Sequence, residues 1–102
     1  MRIPTVQGRA WTCELQADGR PLDWRQDADA HTAWTVSDDR PVAQLALGVA
    51  AGLQLGYSCQ DWIVDRCGTA WLVDVNPAGQ WLFLPEPVAA AVSGAIAEWL
   101  AS

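Results

Sequence analysis

The sequence contains no lysine, and its six basic residues are all arginine. Twelve acidic residues outnumber them, which gives a formal net charge of −6. Proteins that bind the phosphate backbone of nucleic acids need a basic surface, so this charge balance argues against nucleic acid as a partner. Histidine is scarce as well. The single His31 has no serine or cysteine partner at a recognisable spacing, and no nucleophilic triad is predicted.

Long apolar runs are also missing. No stretch approaches the ~20 consecutive apolar residues of a membrane-spanning helix. The first residues include no apolar segment of the kind found in signal peptides. The three cysteines, Cys13, Cys59 and Cys67, show no C-x-x-C spacing and indicate neither a zinc site nor a disulfide framework. These features predict a cytoplasmic protein with reduced thiols and no membrane contact.

The common nucleotide-binding motifs, the P-loop and the glycine-rich dinucleotide fingerprint, do not occur. What the sequence does contain is a large apolar fraction, 51%, with seven tryptophans. This composition is typical of folded proteins, and 102 residues are enough for one modest core. We therefore predict a single domain over residues 1–102.

Apolar periodicity and turn residues predict an α+β fold. A helix is expected to begin after Asp39 and to end near Gly52, because acidic capping residues precede Pro41 and an apolar stripe follows. Strands are expected at residues 2–7, 10–15, 32–36, 57–64 and 70–75, and a second helix at 87–101. The expected architecture is a mainly antiparallel sheet of four to six strands with two helices packed on one face.

Two details of this prediction concern particular side chains. Pro4 lacks a backbone N–H, which favours an edge position for the first strand. Trp71, Val73 and Val75 alternate with polar residues and are expected to face the core. Trp99 is expected to belong to the buried stripe of the last helix.

Polar residues on the predicted hairpin form a candidate metal site. Asp74 and Asn76 are two positions apart, so on a strand they share one face. Asp61 lies on that face too if the turn between the strands has an even number of residues. Two carboxylates and a carboxamide make an all-oxygen ligand set of the kind that Mg²⁺ prefers. The alternative is an exposed strand face followed by a turn-forming Asn-Pro. If Asp61 and Asp74 point to opposite sides of the sheet, the metal site is excluded.

The same stretch resembles a known family. Residues 57–81 read YSCQDWIVDRCGTAWLVDVNPAGQW. This stretch is similar to the last part of ATP-grasp ligases in three features. They are the motif Asp-(aromatic)-Ile-Val-Asp, a turn with glycine, and then Asp-Val-Asn-Pro-x-Gly-Gln-Trp. The NPxGQW form most resembles the branch that crosslinks ribosomal peptides through side-chain carboxylates, the graspetide or microviridin-type ligases. A weaker likeness covers the rest of the chain.

The resemblance implies a function. In ATP-grasp ligases the matching residues hold two Mg²⁺ ions that bridge the ATP phosphates, which would make Asp61, Asp74 and Asn76 metal ligands and Asn76 part of the cofactor site. Asp74 replaces the usual glutamate and is one methylene shorter. Arg25, in an Asp-Trp-Arg motif that recurs in the peptide-ligase branch, would be a catalytic residue that contacts phosphate or a substrate carboxylate. The alternative for Arg25, and the favoured one for Arg9, is a surface arginine.

The resemblance also implies what the chain would need. ATP would phosphorylate a peptide or amino-acid carboxylate, and an amine or hydroxyl would displace the phosphate to give an amide or an ester. The phosphate-binding lysines and the adenine hinge belong to an N-terminal lobe, which this sequence does not contain. That lobe, or a second copy of the chain, is therefore an expected partner. The competing hypothesis is a non-catalytic ATP-grasp half that serves in protein–protein contact or dimerisation.

Overall fold

A computed structural model of the chain describes residues 1–15 and 34–101. Within these ranges there are two helices, α1 (Arg40–Gly52) and α2 (Glu86–Ala101), and neither has the length and apolar character needed to cross a membrane. The same ranges contain six strands: β1 (Arg2–Val6), β2 (Arg9–Ala10), β3 (Thr12–Leu15), β4 (Trp34–Ser37), β5 (Tyr57–Val64) and β6 (Ala70–Asn76). The predicted α+β class is confirmed.

The strands form one antiparallel sheet with β1 at its centre. The order is β4-β3-β1-β5-β6, and the short β2 also pairs with β1. The edge position predicted from Pro4 is wrong, because β1 has neighbours on both sides. The neighbouring strand is interrupted at Trp11, whose N–H donates to the Pro4 carbonyl (3.1 Å) between β2 and β3. A proline is tolerated at such an irregularity, where the regular ladder is already broken.

The start of α1 follows the predicted capping pattern. Asp39 is the N-cap, and its side chain accepts a hydrogen bond from the backbone N–H of Val42 (3.1 Å). A cap of this kind typically stabilises a helix by about 1 kcal/mol. Val42 and Ala46 then pack in one buried cluster with Ile3 and Trp62 of the sheet. This cluster covers the first face of the sheet.

The second helix, α2, covers the other face. Its residues Val88 and Val92 pack in a separate cluster with Val6 and Cys13. Ile3 and Val6 are three positions apart on β1, so their side chains point to opposite sides of the sheet. The two helices therefore lie on opposite faces, whereas the sequence led us to expect both on one. Both faces of the sheet are therefore covered at β1, whose residues 3–6 are all buried.

The edge strand β6 is mostly exposed. Trp71 and Val73, which were predicted to face the core, are each 59% exposed, and Trp99 on α2 is also exposed. These three predictions are wrong. Among residues 1–15 and 34–101, β6 is the edge strand and pairs with β5, and Trp71 and Val73 stay exposed on it. The Trp71 indole instead donates a hydrogen bond to the carboxylate of Asp65 in the hairpin turn (3.1 Å). The apolar alternation of β6 thus marks a surface and not a core.

Candidate metal centre

A cleft of about 250 Å³ opens on the α2 face of the sheet, beside the paired strands β5 and β6. Asp61, Asp74 and Asn76, the three predicted metal ligands, all line it. The rest of its lining is formed by Arg2, Cys59, Gly79, Gln80 and Phe83. The structure therefore brings the three predicted ligands together at one place.

The register of the hairpin explains this meeting. Asp61 is directly opposite Asp74, and Cys59 is directly opposite Asn76. Residues directly opposite each other on antiparallel strands share a face, with Cβ atoms about 4.5–5.5 Å apart. Asp61 and Asp74 therefore do not point to opposite sides of the sheet. The condition set for a metal site is met, and metal binding itself stays a prediction.

An irregularity in β6 produces this register. Val64 is opposite Ala70, so the turn between them has five residues, an odd number. A regular ladder from this turn would place Asp74 on the face away from Asp61. The ladder, however, shifts by one residue between Asp61 and Trp62, and Val73 is the extra residue. This bulge turns Asp74 back to the face of Asp61. Bulges next to functional sites commonly redirect a side chain in this way.

Asn76 is held by the loop that follows it. Its side-chain oxygen accepts a hydrogen bond from the backbone N–H of Ala78 (3.0 Å), as expected for a turn-forming Asn-Pro. A carboxamide oxygen has two lone pairs, so this bond leaves one for a cation. Gly79 then passes close to β5, where a Cβ atom would lie 2.7 Å from the Cβ of Cys59. Glycine at position 79 is therefore required for the loop to close against the sheet.

Arg2 is a cleft residue that the sequence analysis missed. Its Nε atom lies 2.8 Å from Oδ1 of Asp61, and a second guanidinium nitrogen lies 3.3 Å from Oδ2. The guanidinium carbon is 5.1 Å from the ring centroid of Trp34 and 5.2 Å from that of Phe83. Aromatic faces attract cations, so these rings hold the positive charge in the cleft. No local sequence signal identifies this pair, because Arg2 and Asp61 are 59 positions apart.

The cleft fits a hard cation better than a soft one. The carboxylates of Asp61 and Asp74 and the carboxamides of Asn76 and Gln80 all offer oxygen to a cation. The neighbouring thiol of Cys59 is buried, and burial raises its pKa to about 11, which keeps it neutral and a poor ligand near pH 7. In the described ranges no three His, Cys, Asp or Glu side chains form a metal-binding group. A cation here would therefore rely on the Asn76 carboxamide and on ligands from outside, such as phosphates and water, as Mg²⁺ commonly does.

Other predicted residues do not contribute to this cleft. Arg25, predicted to be catalytic and to bind the cofactor, lies outside the described residues. Arg9 forms an exposed ion pair with Glu98 on α2 (2.8 Å), in keeping with the surface role favoured for it.

Comparisons with known proteins give structural matches only. No family model matches the chain, and no curated protein matches it. A RiPP-associated ATP-grasp ligase of Chryseobacterium gregarium, solved with ADP and with a leader and a core peptide, superimposes with a TM-score of 0.77. The match covers 99% of this chain and 33% of that one, at 20% sequence identity.

Two macrocyclases of Microcystis aeruginosa, MdnB and MdnC, each superimpose with a TM-score of 0.70. MdnB is 24% identical, over 97% of this chain and 35% of its own. MdnC, solved with its precursor peptide MdnA, is 27% identical, over 98% of this chain and 32% of its own. The chain has part of the fold of a peptide-modifying ATP-grasp ligase. It spans about one third of the length of these ATP-grasp structures, and the predicted resemblance is confirmed to that extent.

Proposed function

We propose that the chain is the C-terminal lobe of an ATP-dependent ligase and that it supplies Mg²⁺ ligands to the nucleotide. The observation that carries this proposal is the register of Asp61 against Asp74, with Asn76 on the same face and in the same cleft. Carboxylates directly opposite each other repel, and such an arrangement favours a cation between them. The ATP-grasp fold of the neighbours supports the choice of nucleotide-bound Mg²⁺ as that cation.

The proposed reaction joins a peptide or amino-acid carboxylate to an amine or a hydroxyl. The γ-phosphoryl group of ATP passes to the carboxylate and ADP leaves; the amine or hydroxyl then displaces phosphate to form an amide or an ester. Bound Mg²⁺ would offset the negative charge of the transferring phosphoryl group. Asp61, Asp74 and Asn76 would hold and orient that ion, and the Arg2 guanidinium would add positive charge within the same cleft. Arg25 remains a candidate for contact with phosphate or with the substrate carboxylate.

The replacement of glutamate by aspartate at position 74 does not by itself exclude metal binding. Asp74 is shorter than the glutamate found in ATP-grasp ligases, yet it lies directly opposite Asp61, where Cβ atoms are typically about 4.5–5.5 Å apart. Mg²⁺ usually takes only one or two protein carboxylates and fills its remaining positions with water and phosphate oxygens. The shorter side chain would therefore change which ligands bind directly and which bind through water.

The proposed reaction requires a partner lobe, whereas Mg²⁺ with ADP is expected to bind the cleft of this chain alone. The 102 residues contain no lysine, so phosphate-binding lysines would have to come from outside this sequence. The ADP-bound neighbour is about three times as long as the match, which is consistent with a nucleotide site completed by further chain. A cytoplasmic location, where ATP is abundant and thiols stay reduced, belongs to the same proposal.

A second candidate function is that of a non-catalytic interaction module. The outer half of the hairpin carries exposed apolar side chains, which we term the hairpin surface: Ile63, Val64, Trp71, Leu72 and Val73. Ile63 is directly opposite Trp71, so these two exposed side chains share one face, and exposed apolar surface of this kind is typical of protein–protein contacts. If a second copy covers it, the chain should dimerise in analytical ultracentrifugation, and an Ile63→Ser/Trp71→Ser variant should be monomeric. A wild-type chain that is monomeric at about 100 μM would contradict self-association with a Kd in the micromolar range, which corresponds to roughly −8 kcal/mol.

Amide NMR spectroscopy of the ¹⁵N-labelled chain tests the first candidate. Titration with Mg²⁺ and ADP should shift the backbone signals of Asp61, Asp74, Asn76 and Gly79. The signal of Ala46, on the opposite face of the sheet, is the internal control and should stay in place. A folded chain whose cleft signals do not move at millimolar ligand would contradict the proposed function.

A further inference from the structure

Asp61 is already neutralised by a cation of the chain itself. The guanidinium of Arg2 contacts both carboxylate oxygens, at 2.8 and 3.3 Å, in a two-pronged arrangement. This arrangement is the strongest form of a carboxylate–arginine pair. The Arg2 side chain is 11% exposed and that of Asp61 is 34% exposed, so water screens the pair only in part.

The pair has a consequence for any metal ion that enters the cleft. A divalent cation on Asp61 would lie next to the positive guanidinium, and the two charges would repel. It would also compete with Arg2 for the same two oxygens. Binding of a bare metal ion is therefore opposed by Arg2, whereas an ion that arrives with an anionic group brings a new partner for the guanidinium.

We propose that Arg2 is an internal counter-ion that occupies Asp61 until a metal ion and an anionic phosphate enter together. This inference rests on the proposed function, because it takes Asp61 to be a metal ligand. Arg2 would thus be a positioning residue that makes metal binding depend on the phosphate. The coupling is reciprocal by thermodynamic linkage, so metal should also strengthen phosphate binding.

The surroundings of Arg2 allow this exchange of partners. Trp34 and Phe83 contact the guanidinium through their ring faces, at 5.1 and 5.2 Å, and such contacts fix no single hydrogen-bond geometry. Phe83 also lines the cleft. When the guanidinium leaves Asp61, the rings can keep the charge inside the cleft, where a phosphate would meet it.

The test measures Mn²⁺ binding, as a spectroscopic substitute for Mg²⁺, by electron paramagnetic resonance with and without ADP. The key variant is Arg2→Met, whose apolar stem can still pack between the two rings. Arg9→Met is the matched control, because it removes the same charge from an exposed ion pair with Glu98. Arg2→Met should bind Mn²⁺ alone about 5- to 10-fold more tightly than the wild type, and ADP should improve its Mn²⁺ affinity less. Arg9→Met should match the wild type in both conditions.

The possible results separate this inference from the proposed function. If Asp74→Asn weakens Mn²⁺ binding while Arg2→Met and the wild type bind alike, the metal site stands and the counter-ion role is overturned. If no variant binds Mn²⁺ with or without ADP, both are overturned. Circular dichroism establishes that each variant is folded. Should Arg2→Met not fold, Arg2→Lys replaces it, since lysine cannot make the two-pronged contact; tighter Mn²⁺ binding than wild type then supports the inference, and equal binding overturns it.

Discussion

Replacing Gln60 by leucine should destabilise the chain strongly, although position 60 lies on the face of the sheet away from the cleft. Gln60 is fully buried beneath α1, and its amide takes part in three hydrogen bonds. Its nitrogen donates to the carbonyl of Ala46 (2.9 Å) and to the hydroxyl of Ser58 (3.1 Å), and its oxygen accepts from the indole N–H of Trp62 (2.9 Å).

The size of the effect follows from which partners lose their bonds. Ser58 keeps a hydrogen bond with Thr5 (2.6 Å), so its hydroxyl remains satisfied. The buried indole N–H of Trp62 is left without an acceptor, which costs about 1–3 kcal/mol. Loss of the two bonds made by the amide nitrogen adds about 1 kcal/mol or somewhat more. Gln60→Leu should therefore lower the free energy of unfolding by about 2–4 kcal/mol, or Tm by about 10–25 °C in a domain of this size.

A double-mutant cycle followed by urea denaturation and circular dichroism tests this reasoning. Trp62→Phe alone orphans the Gln60 oxygen, while in Gln60→Leu/Trp62→Phe neither partner remains to be orphaned. The double variant should therefore be more stable than the sum of the single effects predicts, by about 1–2 kcal/mol. Gln44→Leu, on the exposed side of α1, is the control and should be nearly neutral. Additive effects, or a loss below 1 kcal/mol for Gln60→Leu, would refute the reasoning.

Three further predictions concern the hairpin and the cleft. Gly79→Ala should lower Tm by roughly 5–15 °C, because the added Cβ would approach within 2.7 Å of the Cys59 Cβ and force the loop outward; a thermal melt measures it, and an unchanged Tm would count against the close approach. At pH 8, iodoacetamide should modify Cys67 rapidly and leave Cys13 and Cys59 unmodified, since burial raises the pKa of both buried thiols to about 11; mass spectrometry of a folded sample decides this. The Trp71 indole on β6, and then backbone N–H groups of the turn, donate hydrogen bonds that hold the pKa of Asp65 below its ordinary value. Its stabilising contribution is therefore complete above about pH 4 and is lost as the pH falls through the lowered pKa; Asp65→Asn should flatten the acid limb of the stability curve, and an identical limb would contradict this.

The elements themselves were largely predictable from local sequence. The helix start at Asp39 has a local physical cause in its capping side chain, and the limits of the hairpin strands follow from their apolar residues and the glycine-containing turn. What local sequence could not show is how the strands are arranged. Pro4 suggested an edge strand, and the interruption opposite it at Trp11 became visible only in three dimensions. Which face each helix covers likewise depends on contacts between distant parts of the chain.

The candidate site shows the same division. The sequence supplied the ligand types and predicted a shared face for Asp74 and Asn76, because residues two apart on a strand always share one. Whether Asp61 and Asp74 share a face depends on whether the turn has an even or an odd number of residues. The turn has five, which would place the two carboxylates on opposite faces if the bulge at Val73 did not shift the register. Arg2 was missed because its partner Asp61 is 59 positions away and because Arg2 belongs to no recognisable motif. The shape of the cleft thus depends on contacts between distant parts of the chain, while the types of its ligand residues can be read from the local motif.

Calorimetric titration of the chain with Mg²⁺ and ADP tests the central claim most directly. We expect binding that weakens at least about tenfold in both Asp74→Ala and Asn76→Ala, since each removes one oxygen ligand of the ion. Asp38→Ala is the matched control, because it removes one carboxylate from an 82% exposed position at the start of α1, and it should bind like the wild type. A folded chain that gives no heat at millimolar ligand, or binding that is unchanged in Asp74→Ala and Asn76→Ala, would contradict the proposed metal centre.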